Sequence, residues 1–160
     1  MQKEKIITTK SSEETQQFAE DFIKRRLLDQ GVSLPNALVI TLTGDLGAGK
    51  TTFVQGLAKG LGIEQRIISP TFIIVRKYSI TYKVSSIRNF YHIDLYRVES
   101  ESALQGLGLE EILHEKDAVV VIEWPERLGK LLPEEKVDIK FEVLTENQRK
   151  LTILRLCEKG

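Results

Sequence analysis

The stretch Gly44-Asp45-Leu46-Gly47-Ala48-Gly49-Lys50-Thr51 satisfies GxxxxGK[ST], and it constrains this chain more than any other feature. Glycines at those positions let the backbone wrap an anion with its own N–H groups. Lys50 can then reach the β- and γ-phosphates, and the Thr51 hydroxyl suits a Mg²⁺ position. A helix beginning at Lys50 would add its positive N-terminal end. The flanks agree with a strand–loop–helix unit. Residues 37–43 (ALVITLT) form a buried-strand run before the loop, and Phe53, Val54, Leu57, Ala58 and Leu61 recur at helical spacing after it, with Gly62 as C-cap. The bland alternative is a glycine-rich turn that only joins strand to helix.

Other elements follow from pattern. Ile6 and Ile7 suggest a short first strand, and Ser11-Ser12-Glu13-Glu14 is a capping box that opens a helix with Phe18, Ala19, Phe22, Ile23 and Leu27 on one face, ending near Gly31. Ser69-Pro70-Thr71-Phe72 is a polar corner feeding a strand at 73–75. Residues 76–89 mix basic and aromatic side chains in the manner of an exposed hairpin, which could also touch RNA or protein. Phe90–Ile93 is a strand leading into Asp94. Residues 99–115 fit two short helices broken around Gly106 and Gly108. Ala118–Ile122 is apolar at every position, as in a central strand covered on both faces, and it ends in Glu123-Trp124-Pro125, with Pro125 opening a helix over 126–132. The tail alternates as an antiparallel hairpin at the sheet edge. With no repeat and no linker, residues 1–160 are expected to form one domain. The expected fold is α/β, a three-layer P-loop NTPase-like sandwich with a mostly parallel central sheet and an antiparallel C-terminal hairpin.

Composition narrows the partners. Lys+Arg and Asp+Glu both number 23, which argues against holding nucleic acid chiefly by phosphate electrostatics. The single Cys157 can form neither an internal disulfide nor a zinc site and reads as a small semi-buried hydrophobe. The N-terminus has no apolar signal core and no run is long enough for a membrane span, so a cytoplasmic protein without structural metal is expected.

A phosphate loop needs a second group for the metal, normally an acid at a neighbouring strand end. Glu123 and Asp94 both qualify. Either could hold Mg²⁺ through water or orient the attacking water, and the plain alternative is a solvated strand-end carboxylate. Thr71 could offer its hydroxyl to the γ-phosphate or its metal, or be an ordinary turn residue. Trp124 could stack on a base, anchor a partner or simply pack. His92 and His114 stand apart from Cys and from each other, so His92 reads as a packed or cross-strand residue.

Taken in order, the phosphate loop through Thr52-Phe53, Ser69-Pro70-Thr71-Phe72, Tyr91-His92-Ile93-Asp94-Leu95-Tyr96-Arg97, Leu107-Gly108-Leu109-Glu110-Glu111 and Ile122-Glu123-Trp124-Pro125-Glu126 resemble the bacterial TsaE family, also called YjeE, over residues 36–145. The resemblance implies ATP with Mg²⁺, weak hydrolysis alone, and docking on a TsaB–TsaD heterodimer in which TsaD transfers threonylcarbamoyl to adenosine in tRNA. The tRNA is reached only through that complex, and turnover resets the transferase. By the same resemblance, Lys50 is catalytic and phosphate-binding. Gly44, Asp45, Leu46, Gly47, Ala48, Gly49, Thr51, Thr52, Thr71 and Trp124 are expected to hold the nucleotide, with Thr71 in a switch-like segment; Thr51 and Glu123 serve Mg²⁺, Asp94 serves hydrolysis and the metal, and Glu123 is catalytic with Lys50 and Asp94. The 75–91 segment is longer than the family's short loop, and the tail from 146 matches no motif; neither departure is expected to touch the nucleotide site. Alternatives are a small-molecule or nucleotide kinase, and a nucleotide-responsive binding module with incidental hydrolysis. No NKxD or LSGGQ-like motif supports a GTPase or an ABC-type ATPase.

Overall fold

A computed structural model describes residues 2–30, 35–69, 73–80 and 86–156. Thr71, Cys157, the helix stop near Gly31 and the middle of the expected 76–89 hairpin lie outside the described residues. Seven strands, β1 (Gln2–Thr9), β2 (Leu38–Thr43), β3 (Val75–Ser79), β4 (Asn89–Asp94), β5 (Ala118–Glu123), β6 (Val137–Val143) and β7 (Arg149–Leu156), form one sheet in the order β1-β7-β6-β2-β5-β4-β3. The central strands β6, β2, β5 and β4 run parallel, and the three outer pairings, β1 with β7, β7 with β6, and β3 with β4, are antiparallel. The expected mixed sheet with a parallel centre is therefore present. The C-terminal hairpin is not at the edge as expected: β6 pairs with β2, and β1 covers β7 from outside. That cover removes the open edge that an alternating hairpin would otherwise leave.

Helix α1 (Ser12–Gln30) and helix α2 (Lys50–Gly60) cover one face. The other face carries a 3-10 turn at Glu101–Leu104, the short helix α3 (Leu109–Leu113), and a 3-10 segment at Pro125–Leu131. The last is shorter in character than the helix expected over 126–132, because Gly129 leaves helical geometry at φ 57°, ψ −124°. Strand alternation sorts the core: Val119 and Val121 of β5 meet the α1/α2 face, whereas Ala118, Val120 and Ile122 meet the other. A strand apolar at every position is what two covered faces require.

The capping box works with one shift. Ser11 Oγ accepts from the Glu14 N–H at 3.1 Å, but the Glu14 carboxylate reaches back to the Lys10 N–H at 2.6 Å. At the other end of α2, Gly62 at φ 76° accommodates a reversal in which the Ile63 N–H bonds the Ala58 carbonyl at 2.9 Å and the Gly62 N–H the Lys59 carbonyl at 3.1 Å. The described part of the 76–89 region is anchored to the core at Tyr78 and Ile87. Its strand starts at Val75, not Ile73, and Tyr78 is 3% exposed against Phe90.

Helices α1 and α2 approach to backbone distance through Gly56 and Gly60. A Cβ on Gly56 would lie 2.3 Å from the Gln16 carbonyl oxygen and 2.7 Å from Ala19 Cβ. Gly56→Ala is therefore expected to destabilise the fold by about 1–3 kcal/mol despite alanine's better helix propensity, measured as a lower urea midpoint with an unchanged m-value.

At the opposite end of β4, the Tyr91 hydroxyl and the Asn89 amide both donate to the Glu115 carboxylate. Burial, then the bond to Glu115, pushes the Tyr91 phenol up to about 12. A phenol raised above its unfolded value of about 10 stabilises the fold fully below pH 10, and that contribution is lost as pH rises from 10 towards 12. Urea midpoints measured from pH 9 to 11.5 should fall more steeply for the wild type than for Tyr91→Phe.

Candidate functional site

Parallel register brings the site together. Leu42 of β2 lies beside Glu123 of β5, and Glu123 lies beside Asp94 of β4. The loop that leaves β2 and the two acids therefore end at one level of the sheet. A cleft of about 330 Å³ opens there between the phosphate loop, Asp94, Glu123 and Trp124. Lys50, Asp94 and Glu123, expected from sequence to share one site, line it together, and Leu46, Gly47, Gly49, Thr51 and Thr52 form its loop wall. Ala48 is buried beneath the loop.

The loop's shape comes from its glycines. Gly47 and Gly49 take φ 77° and 101°. Gly44, at φ 146°, is also pressed against β6: a Cβ there would sit 2.8 Å from the Phe141 carbonyl oxygen. An Ala48 N–H bond to the Asp45 carbonyl at 3.1 Å closes the turn, and the Phe53 N–H bond to the Gly49 carbonyl at 3.0 Å starts α2. Consecutive amides in such a bend form a concave anion site at a helix start.

Lys50 is 5% exposed. Its amine donates to the Gly44 carbonyl and, at 3.2 Å, to the Asp45 carbonyl, and lies 4.5 Å from the Trp124 ring centre. Burial lowers its pKa from 10.5, and the negative charges of Glu123 and Asp94 oppose that fall. Trp124 itself stands at φ 60°, ψ 51°, an uncommon conformation for a bulky residue preceding proline, and its ring packs at 5.2 Å from that of Tyr96. The site thus spends backbone strain to lay an aromatic face over the lysine.

Both acids are oriented. Asp94 accepts from the Tyr96 N–H at 3.0 Å through Oδ1 and from the Ser69 hydroxyl at 3.0 Å through Oδ2. Its own N–H bonds the carbonyl of Ile74, which sits at φ 64°, an outlier for a β-branched residue. Glu123 Oε2 is 2.6 Å from Nε2 of His92, which is fully buried. His92 Nδ1 has no partner, a deficit that typically costs about 1–3 kcal/mol. The cross-strand reading of His92 holds, but its partner is the site acid. The signal was available: His92 and Asp94 alternate on one strand face as Val121 and Glu123 do on the next. His114, by contrast, is exposed, with Nδ1 2.8 Å from the Glu110 carbonyl.

The tail does touch the loop, contrary to expectation. Arg149, at the start of β7, donates to the carbonyls of Thr145, Glu146 and Gln148 at 3.0 Å each and to that of Gly47 at 3.4 Å. A second, polar pocket of about 180 Å³ lies on this flank, between the start of α1, the loop and the β6–β7 turn.

Among the described residues no cluster of three or more His, Cys, Asp or Glu side chains could hold a metal. Two carboxylates and a hydroxyl are hard oxygen donors, matched to a cation whose other ligands are water and phosphate oxygen. The donor set at this rim therefore fits Mg²⁺ with a nucleotide and does not fit a protein-only cage. Among the described residues no helix is long and apolar enough to cross a membrane.

Known proteins resemble this chain in sequence and in fold. A family model described as "Threonylcarbamoyl adenosine biosynthesis protein TsaE" matches residues 9–151. The tRNA threonylcarbamoyladenosine biosynthesis protein TsaE of Bacillus subtilis (strain 168) is 41% identical over 114 residues, 71% of this chain and 67% of that protein. Its namesake from Treponema pallidum (strain Nichols) is 40% identical over 128 residues, 80% of this chain and 85% of that one. The crystal structure of Bacillus subtilis YdiB matches with a TM-score of 0.74 at 32% identity, over 98% of this chain and 88% of that one. The family match spans every residue of the cleft from the phosphate loop to Trp124, and the chain belongs to the TsaE family of threonylcarbamoyladenosine biosynthesis proteins.

Proposed function

We propose that this protein is a Mg-ATP hydrolase that serves tRNA threonylcarbamoyladenosine modification by driving or resetting a TsaB–TsaD transferase complex in the cytoplasm. The observation that carries the hydrolase reading is the meeting of the Lys50 amine with two oriented carboxylates, Asp94 and Glu123, on adjacent parallel strand ends in one cleft. Phosphoryl transfer asks a protein chiefly for positioning and charge stabilisation, and these groups supply both.

In this reading the loop amides from Gly44 to Thr52 hold the phosphate chain. Lys50 exchanges its carbonyl partners for phosphate oxygens, an exchange favoured because a buried ammonium gains more from an anion than from neutral carbonyls. Thr51 and Glu123 would hold Mg²⁺, which would supply Lewis-acid polarisation of the phosphoryl oxygens. Asp94, fixed at both oxygens, would orient the attacking water and lend its charge to the metal site. Trp124 shields Lys50 from solvent. The partners come from the pathway named for the family, and tRNA is reached through them.

Lys50→Ala should weaken Mg-ATP binding by about 10- to 100-fold in a calorimetric titration, the loss of one or two charge-assisted hydrogen bonds. Glu123→Gln should retain the nucleotide and lose at least about a hundredfold in turnover. Unchanged affinity in the first variant would remove the phosphate-binding reading. Full tRNA modification by the second without turnover would turn the protein into a nucleotide-responsive binding module. Affinity capture from native extract with and without ATP tests the partners, and recovery of neither TsaD nor TsaB would defeat that half.

A further inference from the structure

His92 is a fully buried polar residue that apolar packing does not explain. Its register neighbour on β5 is Val121, and Phe90, two residues earlier on the same face of β4, belongs to the α1/α2 core. An apolar side chain would fill the space without stranding a nitrogen. The imidazole is fully buried, so it exchanges no proton with solvent directly, and its bond at 2.6 Å is to Glu123 alone.

Nε2 is the ring atom that faces Glu123, and a carboxylate oxygen is a ready acceptor for it. The bond occupies Oε2 and limits the carboxylate to the rotamer that reaches it.

We propose that His92 is a positioning residue for Glu123: a buried imidazole whose Nε2 hydrogen bond fixes the acid at the rim of the cleft. This rests on the hydrolase reading for its kinetic consequence, but not for its structural content. Partners that orient a metal-serving carboxylate typically contribute 10- to 100-fold to activity or metal affinity.

Two measurements test it. Nitrogen-15 NMR of the imidazoles without nucleotide, with His92 and His114 told apart by His92→Phe, should find the His92 Nε2 resonance displaced in Glu123→Gln and the His114 resonances unmoved. An undisplaced Nε2 resonance overturns the proposal whatever the protein hydrolyses. In steady-state assays His92→Phe, which keeps a ring and removes the donor, should lower kcat at least tenfold with KM for Mg-ATP within about twofold. His92→Gln, whose amide can donate to the same oxygen, should recover to within about threefold of wild type. Wild-type kcat in His92→Phe, alongside a turnover-deficient Glu123→Gln, overturns the positioning role and leaves the hydrolase standing. An Lys50→Ala variant with undiminished ATP affinity would defeat the hydrolase, and the NMR result would be unaffected.

Discussion

A lysine ammonium taken out of water must find compensation close by, and the arrangement of this molecule follows from how Lys50 finds it. Two loop carbonyls accept from it, an aromatic face covers it, and two carboxylates lie at the adjoining strand ends. Each partner arrives by a different structural device. The carbonyls come from a backbone bend held open by glycine, the indole from a left-handed residue before proline, and the acids from parallel register. The cation is thereby held in place but incompletely satisfied, with a proton affinity drawn down by burial. That is a suitable condition for a group meant to exchange neutral oxygens for charged ones.

Much of this was legible in the sequence because it depends on local periodicity. The run Ala118–Ile122 reads as a twice-covered strand because no position can be spared for water, and α2 announces itself by five apolar residues at helical spacing, although its C-cap is Leu61 and not Gly62 as the pattern suggests, the glycine taking the left-handed turn one residue later. The two candidate acids could be named because both end such strands. What stayed hidden depends on which strands become neighbours. His92 is 31 residues from Glu123 and Arg149 is 102 from Gly47; the strand alternation marks the first pair only once β4 is known to lie beside β5, and no local pattern marks the second. The misplacement of the C-terminal hairpin has the same origin. Half-polar alternation is compatible with an edge or with cover by another strand, and β1 supplies that cover.

The acids of the cleft differ in how they are held. Asp94 is fastened by a hydroxyl and a backbone amide, both contributed by segments at the cleft mouth. Glu123 is fastened from below, by a ring embedded in the core. The first attachment can respond to rearrangement of the surrounding chain, whereas the second moves only with the sheet. Two carboxylates side by side can thus carry different duties, one fixed and one adjustable, without differing in chemistry.

The close approach of α1 to α2 at Gly56 and Gly60 has a mechanical consequence. Helix α1 hangs from β1, β1 is stitched to β7, and the turn before β7 grips the phosphate loop through Arg149. Helix α2 in turn grows out of that same loop. The chain therefore closes a ring of stiff contacts around one side of the cradle, like the fixed jaw of a vice. On the opposite side Ser69 and Ile74 meet Asp94 through hydrogen bonds, and Ile74 holds a left-handed backbone there. The two walls of the cradle are thus built on different terms, one on closed helix and strand packing and the other on polar contacts at a strained turn.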